Sequence, residues 1–288
     1  DMRIMMISTL YPENKKPRLR KDTQAIKYFV DGWIKQGHEV LVVHPYRIPI
    51  KDCIKSLADK DRFKVFYTEQ DGAKLLMTQS QLIIPHHYIP FSIQQHFAAK
   101  KVKKYMSAKM PDFIPDIITV SFPLSNLQFC EEIIIDQKAI CILHKSDITE
   151  LEKSDNCRKR LLIERLREIF ETICFRSDKL KERGIALGIG DKHSTVLYSG
   201  VKESLIAPES FIRKKAQRSF LKPLNIVFAG NLVKQKNIEC IISAVAKVRD
   251  TIDITLKIIG DGKHSQELQR LCDTVGILDI VQFTGRIP

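Results

Sequence analysis

The chain has 288 residues, 44% of them hydrophobic and 28% charged, with 12 glycines and 12 prolines. That composition suits one large globular domain or two modest ones and excludes a disordered or low-complexity chain. The formal net charge of +13 favours a polyanionic partner (nucleic acid, an anionic membrane face or a phosphorylated substrate) without choosing among them.

No stretch of about 18 uncharged apolar residues occurs, which argues against a transmembrane helix. The first residues, DMRIMMI, enter a buried-strand pattern directly, without the basic start and small-residue cleavage site of a signal peptide. Seven scattered cysteines (Cys53, Cys130, Cys141, Cys157, Cys174, Cys240 and Cys272) never form a Cys-x-x-Cys pair. They suit a reducing cytoplasm better than a disulfide framework or a zinc site.

In chain order, Arg3–Ser8 reads as a strand. The segment Thr23–Gln36 places Ile26, Phe29, Val30 and Trp33 on one helical face and ends at Gly37, a good C-terminal cap. Glu39–Tyr46 is the second strand. Phe97–Met110 reads as a helix with Ala98, Val102, Tyr105 and Met106 on one face and Lys100, Lys103 and Lys104 on another. That pattern suits docking on an anionic membrane and, equally, packing of one face on the sheet.

Strands are next expected at Asp116–Phe122, Ala139–His144, Thr172–Arg176 and Thr195–Ser199, with helices at Leu124–Gln137, Cys157–Phe170 and Asp178–Leu187. The alternation describes a doubly wound domain over 1–202. A polar, basic stretch with Pro208 and Pro223 follows and reads as a linker over 203–223. Alternation resumes over 224–288, with strands Leu224–Ala229, Ile254–Ile259 and Ile280–Thr284 and helices Asn237–Arg249 and His264–Val275. Three strands are few for a doubly wound sheet, so this second domain reads as incomplete.

The block NIVFAGNLVKQKNIECIISAVAKV, followed by LKIIGDGKHSQELQRLCDTVGILDIVQFTGRIP, resembles the start of the C-terminal domain of retaining family 4 glycosyltransferases. Looser matches run through the first half: Ile7–Pro12, Gly37-His38-Glu39-Val40, Pro115–Ile118, His144-Lys145-Ser146-Asp147 and Tyr198–Val201. They look like the variety found in bacterial capsule and exopolysaccharide gene clusters. The resemblance implies an α/β fold of GT-B type, with two Rossmann-like domains. It also implies a hexosyltransferase with a UDP- or GDP-linked sugar as donor substrate, no separate cofactor, and a polysaccharide or lipid-linked acceptor. The expected place is the cytoplasm, peripheral at the inner membrane face.

A strand that turns tightly into a helix N-terminus points backbone N–H groups and a positive dipole end at its ligand, which suits a diphosphate. Gly230, Asn231 and Lys236 occupy such a turn, where Lys236 would neutralise charge building on the departing nucleoside diphosphate. The resemblance also places Gly260, Asp261 and Gly262 near the donor, although the bare residues read as a flexible turn before a helix. His144 sits just past a strand end, where α/β sheets hold their ligands, and the resemblance puts it near the transferred sugar.

The chain departs from the family at Asn231, where an arginine is expected, and in its first βα loop, where Glu13–Lys21 carries five basic residues in place of glycines. The loop reads first as a solvated charge run, with contact to phosphate or an acidic acceptor as the alternative. No Gly-x-Gly-x-x-Gly follows the first strand, which counts against a dinucleotide-dependent dehydrogenase. No metal-ligand constellation is visible; His86-His87 stands alone.

The family's Glu-x7-Glu motif is expected some tens of residues beyond Pro288, so little turnover is expected of this length of chain. The competing reading is a non-catalytic glycosyltransferase-like protein that binds an acidic polymer or a partner, which Asn231 favours. Nucleic-acid binding rests on charge alone, with no recognition helix, zinc finger or aromatic-studded strand behind it.

Overall fold

The structure, a computed structural model, describes residues 1–12, 24–46, 65–79, 91–201, 203–217 and 223–287. The chain divides into two units, Asp1–Lys202 and Glu203–Pro288.

The first unit is built on an eight-stranded sheet whose strands are β1 (Arg3–Ser8), β2 (Glu39–Tyr46), β3 (Phe66–Gln70), β4 (Ala73–Gln79), β5 (Ile117–Ser121), β6 (Ala139–Leu143), β7 (Thr172–Phe175) and β8 (Ser194–Val196). Their order is β3-β4-β2-β1-β5-β6-β7-β8, parallel except for the β3–β4 hairpin. The order reverses at β1, which pairs with β2 on one side and β5 on the other, so the crevice at the C-terminal ends of these strands is the expected ligand position.

Among the described residues, six helices accompany this sheet: α1 (Gln24–Lys35), α2 (Phe91–Lys109), α3 (Leu127–Ile133), α4 (Lys145–Lys153), α5 (Asn156–Ile169) and α6 (Asp178–Ala186). Two apolar clusters lie in the unit. Met6, Val42 and Leu75 meet Ile26 and Val30 of α1 in one. Met5, Val120 and Leu143 meet helix residues such as Val102, Phe129 and Leu166 in the other. Alternate residues of one strand thus serve opposite faces, as the period of two requires.

Helix α1 ends as its sequence suggests. Gly37 takes φ +88°, and the His38 N–H reaches back to the Trp33 carbonyl at 3.0 Å, a Schellman closure. In α2, Ala98, Ala99 and Val102 are buried, with Tyr105 and Met106 packed against the same core, while Phe97, Lys100 and Lys104 face outward.

Several expectations need correction. The region between β2 and β5 holds the hairpin β3–β4 and the full length of α2. Helix α4, just after His144, has no counterpart among the expected elements. The helix expected over Leu124–Gln137 is a 3-10 turn (Pro123–Asn126) followed by the short α3. It stops because Ile134 is already extended, within the β-branched run Ile133-Ile134-Ile135. The basic loop Glu13–Lys21, Cys53 and His86-His87 lie outside the described residues.

In the second unit, α7 (Glu209–Ala216) occupies part of the stretch expected as linker and buries none of its residues. Strands β9 (Leu224–Ala229), β10 (Ile254–Ile259) and β11 (Val281–Gly285) form a parallel sheet in the order β11-β10-β9. Helices α8 (Ile238–Val248) and α9 (Ser265–Thr274) pack on it through Ile238, Ile242, Val245, Leu268 and Cys272.

One helix–strand contact in the first unit is tight enough to test. A Cβ on Gly184 of α6 would lie 2.4 Å from the ring of Phe175, which is fully buried in β7. Gly184→Ala should therefore cost about 1–3 kcal/mol in denaturant unfolding, since a filled interior yields poorly to an added methyl group. An unchanged midpoint would show that the ring can step aside.

Candidate functional site

The first unit gathers polar groups at the C-terminal ends of β5, β6 and β7. His144 follows β6 and is the N-cap of α4. Its backbone N–H donates to the Asp147 carboxylate at 2.8 Å, and the Asp147 N–H donates back to the His144 carbonyl at 3.0 Å. Asp147 is almost completely buried, and burial pushes its carboxyl up to about 7 despite the backbone N–H groups of His144 and Leu124 that favour its charge.

The imidazole is held on two sides. The Ser121 hydroxyl, at the end of β5, is 2.8 Å from His144 Nε2. The Phe122 ring stacks on the imidazole with centroids 3.7 Å apart and planes 10° from parallel. Phe122 can do so because its backbone is left-handed, at φ 59° and ψ 57°, a conformation that costs a non-glycine residue about 1–2 kcal/mol.

Burial, with the Arg176 guanidinium nearby, lowers His144 to about 4. The ring is therefore neutral at physiological pH, an edge that can donate or accept one hydrogen bond from a sugar hydroxyl without bringing charge.

Arg176 follows β7 directly. Leu143 and Phe175 are paired in register across β6 and β7, so His144 and Arg176 are the next residues outward on adjacent strands. The Arg176 guanidinium lies over the Phe29 ring of α1, 5.2 Å from its centroid, and donates through Nη2 to the Ser199 hydroxyl. Nothing in the amino-acid pattern singled out this arginine, Ser121 or Phe122.

The second unit forms its own cradle, also at the C-terminal ends of parallel strands. The Gly230 N–H donates to the Ile259 carbonyl at 2.9 Å, and the Gly260 N–H to the Gly285 carbonyl at 2.8 Å. The loops after β9 and β10 are then laced together. Leu232 N–H donates to the Asp261 carbonyl at 3.0 Å, and His264 N–H to the Leu232 carbonyl at 3.2 Å.

The lacing leaves no room for side chains. A Cβ on Gly260 would fall 1.9 Å from the Gly230 carbonyl oxygen, and one on Gly262 would fall 2.2 Å from the Leu232 carbonyl oxygen. The Gly-Asp-Gly run is thus a close backbone approach rather than a flexible turn. The Asp261 carboxylate accepts from the Gly262 N–H at 2.7 Å, which braces the loop.

Beyond Leu232, Lys234–Lys236 form a 3-10 turn, and Asn237, left-handed at φ 47°, opens α8. Asn231, Lys234 and Lys236 are exposed in this stretch. The structure therefore brings Gly230, Asn231, Gly260, Asp261 and Gly262 into one laced pair of loops, with Lys236 in the turn that leads into α8. An anion there would meet a lysine and the unpaired N–H groups of a helix start. His144 belongs to the first unit.

Among the described residues no three His, Cys, Asp or Glu side chains could hold a metal ion together, and no helix is long and apolar enough to cross a membrane.

Residues 210–288 match the family model described as "Glycosyl transferases group 1". The whole fold is that of solved GT-B glycosyltransferase structures. The Anabaena protein HepE, solved with UDP and glucose, superimposes with a TM-score of 0.62 at 16% identity, over 100% of this chain and 70% of that one. Sucrose-phosphate synthase from Thermosynechococcus elongatus gives 0.62 at 15% identity, over 100% and 71%. The lipopolysaccharide outer core galactosyltransferase WaaB in its apo form gives 0.58 at 15% identity, over 99% and 68%. No curated protein matches the sequence significantly. Residues 210–288 thus match a glycosyltransferase family model, and the chain has the fold of solved glycosyltransferases.

Proposed function

We propose that the protein moves a sugar from a UDP- or GDP-linked donor to a polysaccharide or lipid-linked acceptor in cell-surface polysaccharide synthesis, as a retaining, family 4-like enzyme. The observation that carries this reading is the glycine-laced pair of loops beside Lys236 and the start of α8. A backbone pared to glycine at Gly260 and Gly262 keeps the strand ends packed together, and the lysine supplies charge where a diphosphate would leave. UDP bound to the solved HepE structures makes a uridine nucleotide the first donor class to try. His144, neutral and fixed by Ser121 and Phe122, would face the sugar and the acceptor.

Membrane association at the cytoplasmic face is part of the proposal. Ile93 and Phe97 are exposed on α2 beside Lys100 and Lys104, an apolar and cationic strip suited to an anionic surface. No cofactor or metal is proposed, since lysine and backbone N–H groups supply the positive charge.

Calorimetric titration with UDP and GDP tests the donor site. The Lys236→Ala variant is expected to weaken binding of the preferred nucleotide about 10- to 100-fold, the worth of one charge-assisted contact, with the fold unchanged. Equal affinity in the variant would remove Lys236 from the site. The second reading, binding without turnover, draws on Asn231 standing where the family carries a cation. Tight UDP binding with no hydrolysis or transfer from UDP-sugars would favour it.

A further inference from the structure

Among the described residues Arg176 is a cation without a counter-charge: no carboxylate pairs with it, and burial pulls its guanidinium below the usual value. Its Nη1 is buried and has no hydrogen-bond partner, while Nη2 is satisfied by the Ser199 hydroxyl. The guanidinium carbon lies 5.2 Å from the centroid of the Phe29 ring. A half-desolvated arginine beside an aromatic ring, with one donor already oriented and another unused, lacks the planar acceptor its fork is shaped for.

Its neighbours agree on the sign of the missing ligand. His144, next to it across the β6–β7 register, stays neutral and offers no negative charge. Ser121 and Ser199 contribute hydroxyls, Asp178, two residues along the chain, is taken by the Tyr198 hydroxyl, and Asp147 accepts from the backbone N–H of His144. A purely structural arginine would be expected to use its buried nitrogen on a carbonyl or carboxylate of the fold. This one does not.

We propose that Arg176 is the anchor of an oxyanion subsite at the C-terminal edge of the first unit's sheet, with Ser199 beside it, and that it takes a phosphate carried by the acceptor. The assignment rests on the glycosyltransferase reading above, since only that reading makes this edge the acceptor's side. A phosphate here could also come from the donor's diphosphate. Both sources share the same chemistry, so the test must separate them.

His144 is the reporter. In the full 288-residue chain, its Cε1 proton signal, identified as the one lost in His144→Gln, is followed by NMR with glycerol 1-phosphate or UDP as separate ligands. Glycerol 1-phosphate is expected to shift the signal and to raise the pH at which His144 titrates, because an anion at Arg176 offsets the cation that opposes protonation. Arg176→Gln should raise that pH with no ligand present, abolish the response and weaken glycerol 1-phosphate binding about tenfold or more. Arg176→Lys, which keeps the charge and the fold but loses the fork, should retain a weakened response.

Three results would overturn the proposal. They are silence of His144 towards glycerol 1-phosphate, an undiminished affinity in both variants, or a response to UDP alone, which would give the site to the donor. Loss of UDP binding in Lys236→Ala bears on the other unit, so the donor reading and the Arg176 site can fail separately.

Discussion

Gly260→Ala should part the glycine-laced loops and cost the second unit about 3 kcal/mol or more, the sum of two independent penalties. The first is conformational: Gly260 sits at φ +137°, outside the range an L side chain tolerates. The second is steric. The new Cβ would stand 1.9 Å from the Gly230 carbonyl oxygen, a backbone atom fixed by strand pairing and unable to rotate away. Relieving that overlap means parting the β9 and β10 loops. Doing so breaks the hydrogen bonds of Leu232 to Asp261 and of His264 to Leu232.

Two comparisons separate these causes. Gly276 has a left-handed φ of +70° but open space around its Cβ position, so Gly276→Ala should cost only the conformational part, about 1 kcal/mol. Gly262→Ala meets the Leu232 carbonyl at 2.2 Å without a positive φ and isolates the steric part. Amide hydrogen exchange is the measurement. Protection should fall in 223–287 and persist in the strands of the first unit, because the two units have separate apolar cores. UDP binding should be lost with it. A Gly260→Ala protein that keeps both protection and nucleotide affinity would mean the loops are not laced as described.

The alternation of apolar strands and periodic helices was enough to read the α/β layout, because a buried parallel strand and an amphipathic helix each have their own spacing. The hairpin β3–β4 was missed although its Asp71-Gly72 turn, with φ of 51° and 84°, carries the ordinary two-residue signal. Strand β3 is a short edge strand, and β4, buried between β3 and β2, shows little alternation. Helix α4 was passed over for a different reason. Its start is fixed by the His144–Asp147 exchange of hydrogen bonds, and histidine is not among the usual capping residues. In the candidate site, position along a strand was legible and contact was not. Gly260 reads as a turn until the Gly230 carbonyl, thirty positions earlier, is brought against it. Arg176 reads as the last residue of a strand until the β6–β7 register sets it beside His144.

His144 and Asp147 should pull stability in opposite directions as pH changes, and single variants should expose each pull. His144 titrates near 4 in the folded chain against about 6.5 when free, so between those values the unfolded chain holds more protons and stability rises with pH. Asp147 titrates near 7 when folded against about 3.8 when free. Across that window the folded chain holds more protons, and stability falls as pH rises. The two shifts span nearly the same range, each worth about 2–4 kcal/mol at most, so in the parent protein they largely cancel. Asp147→Asn keeps an oxygen for the His144 N–H and removes the buried carboxyl. Its stability relative to the parent should climb by about 2 kcal/mol or more from pH 4 to 7. His144→Gln should behave oppositely, gaining on the parent as pH falls from 6.5 to 4. Urea unfolding at several pH values reads both. Parallel curves for parent and Asp147→Asn would mean that the Asp147 carboxyl titrates as an ordinary acid and that burial does not hold it protonated.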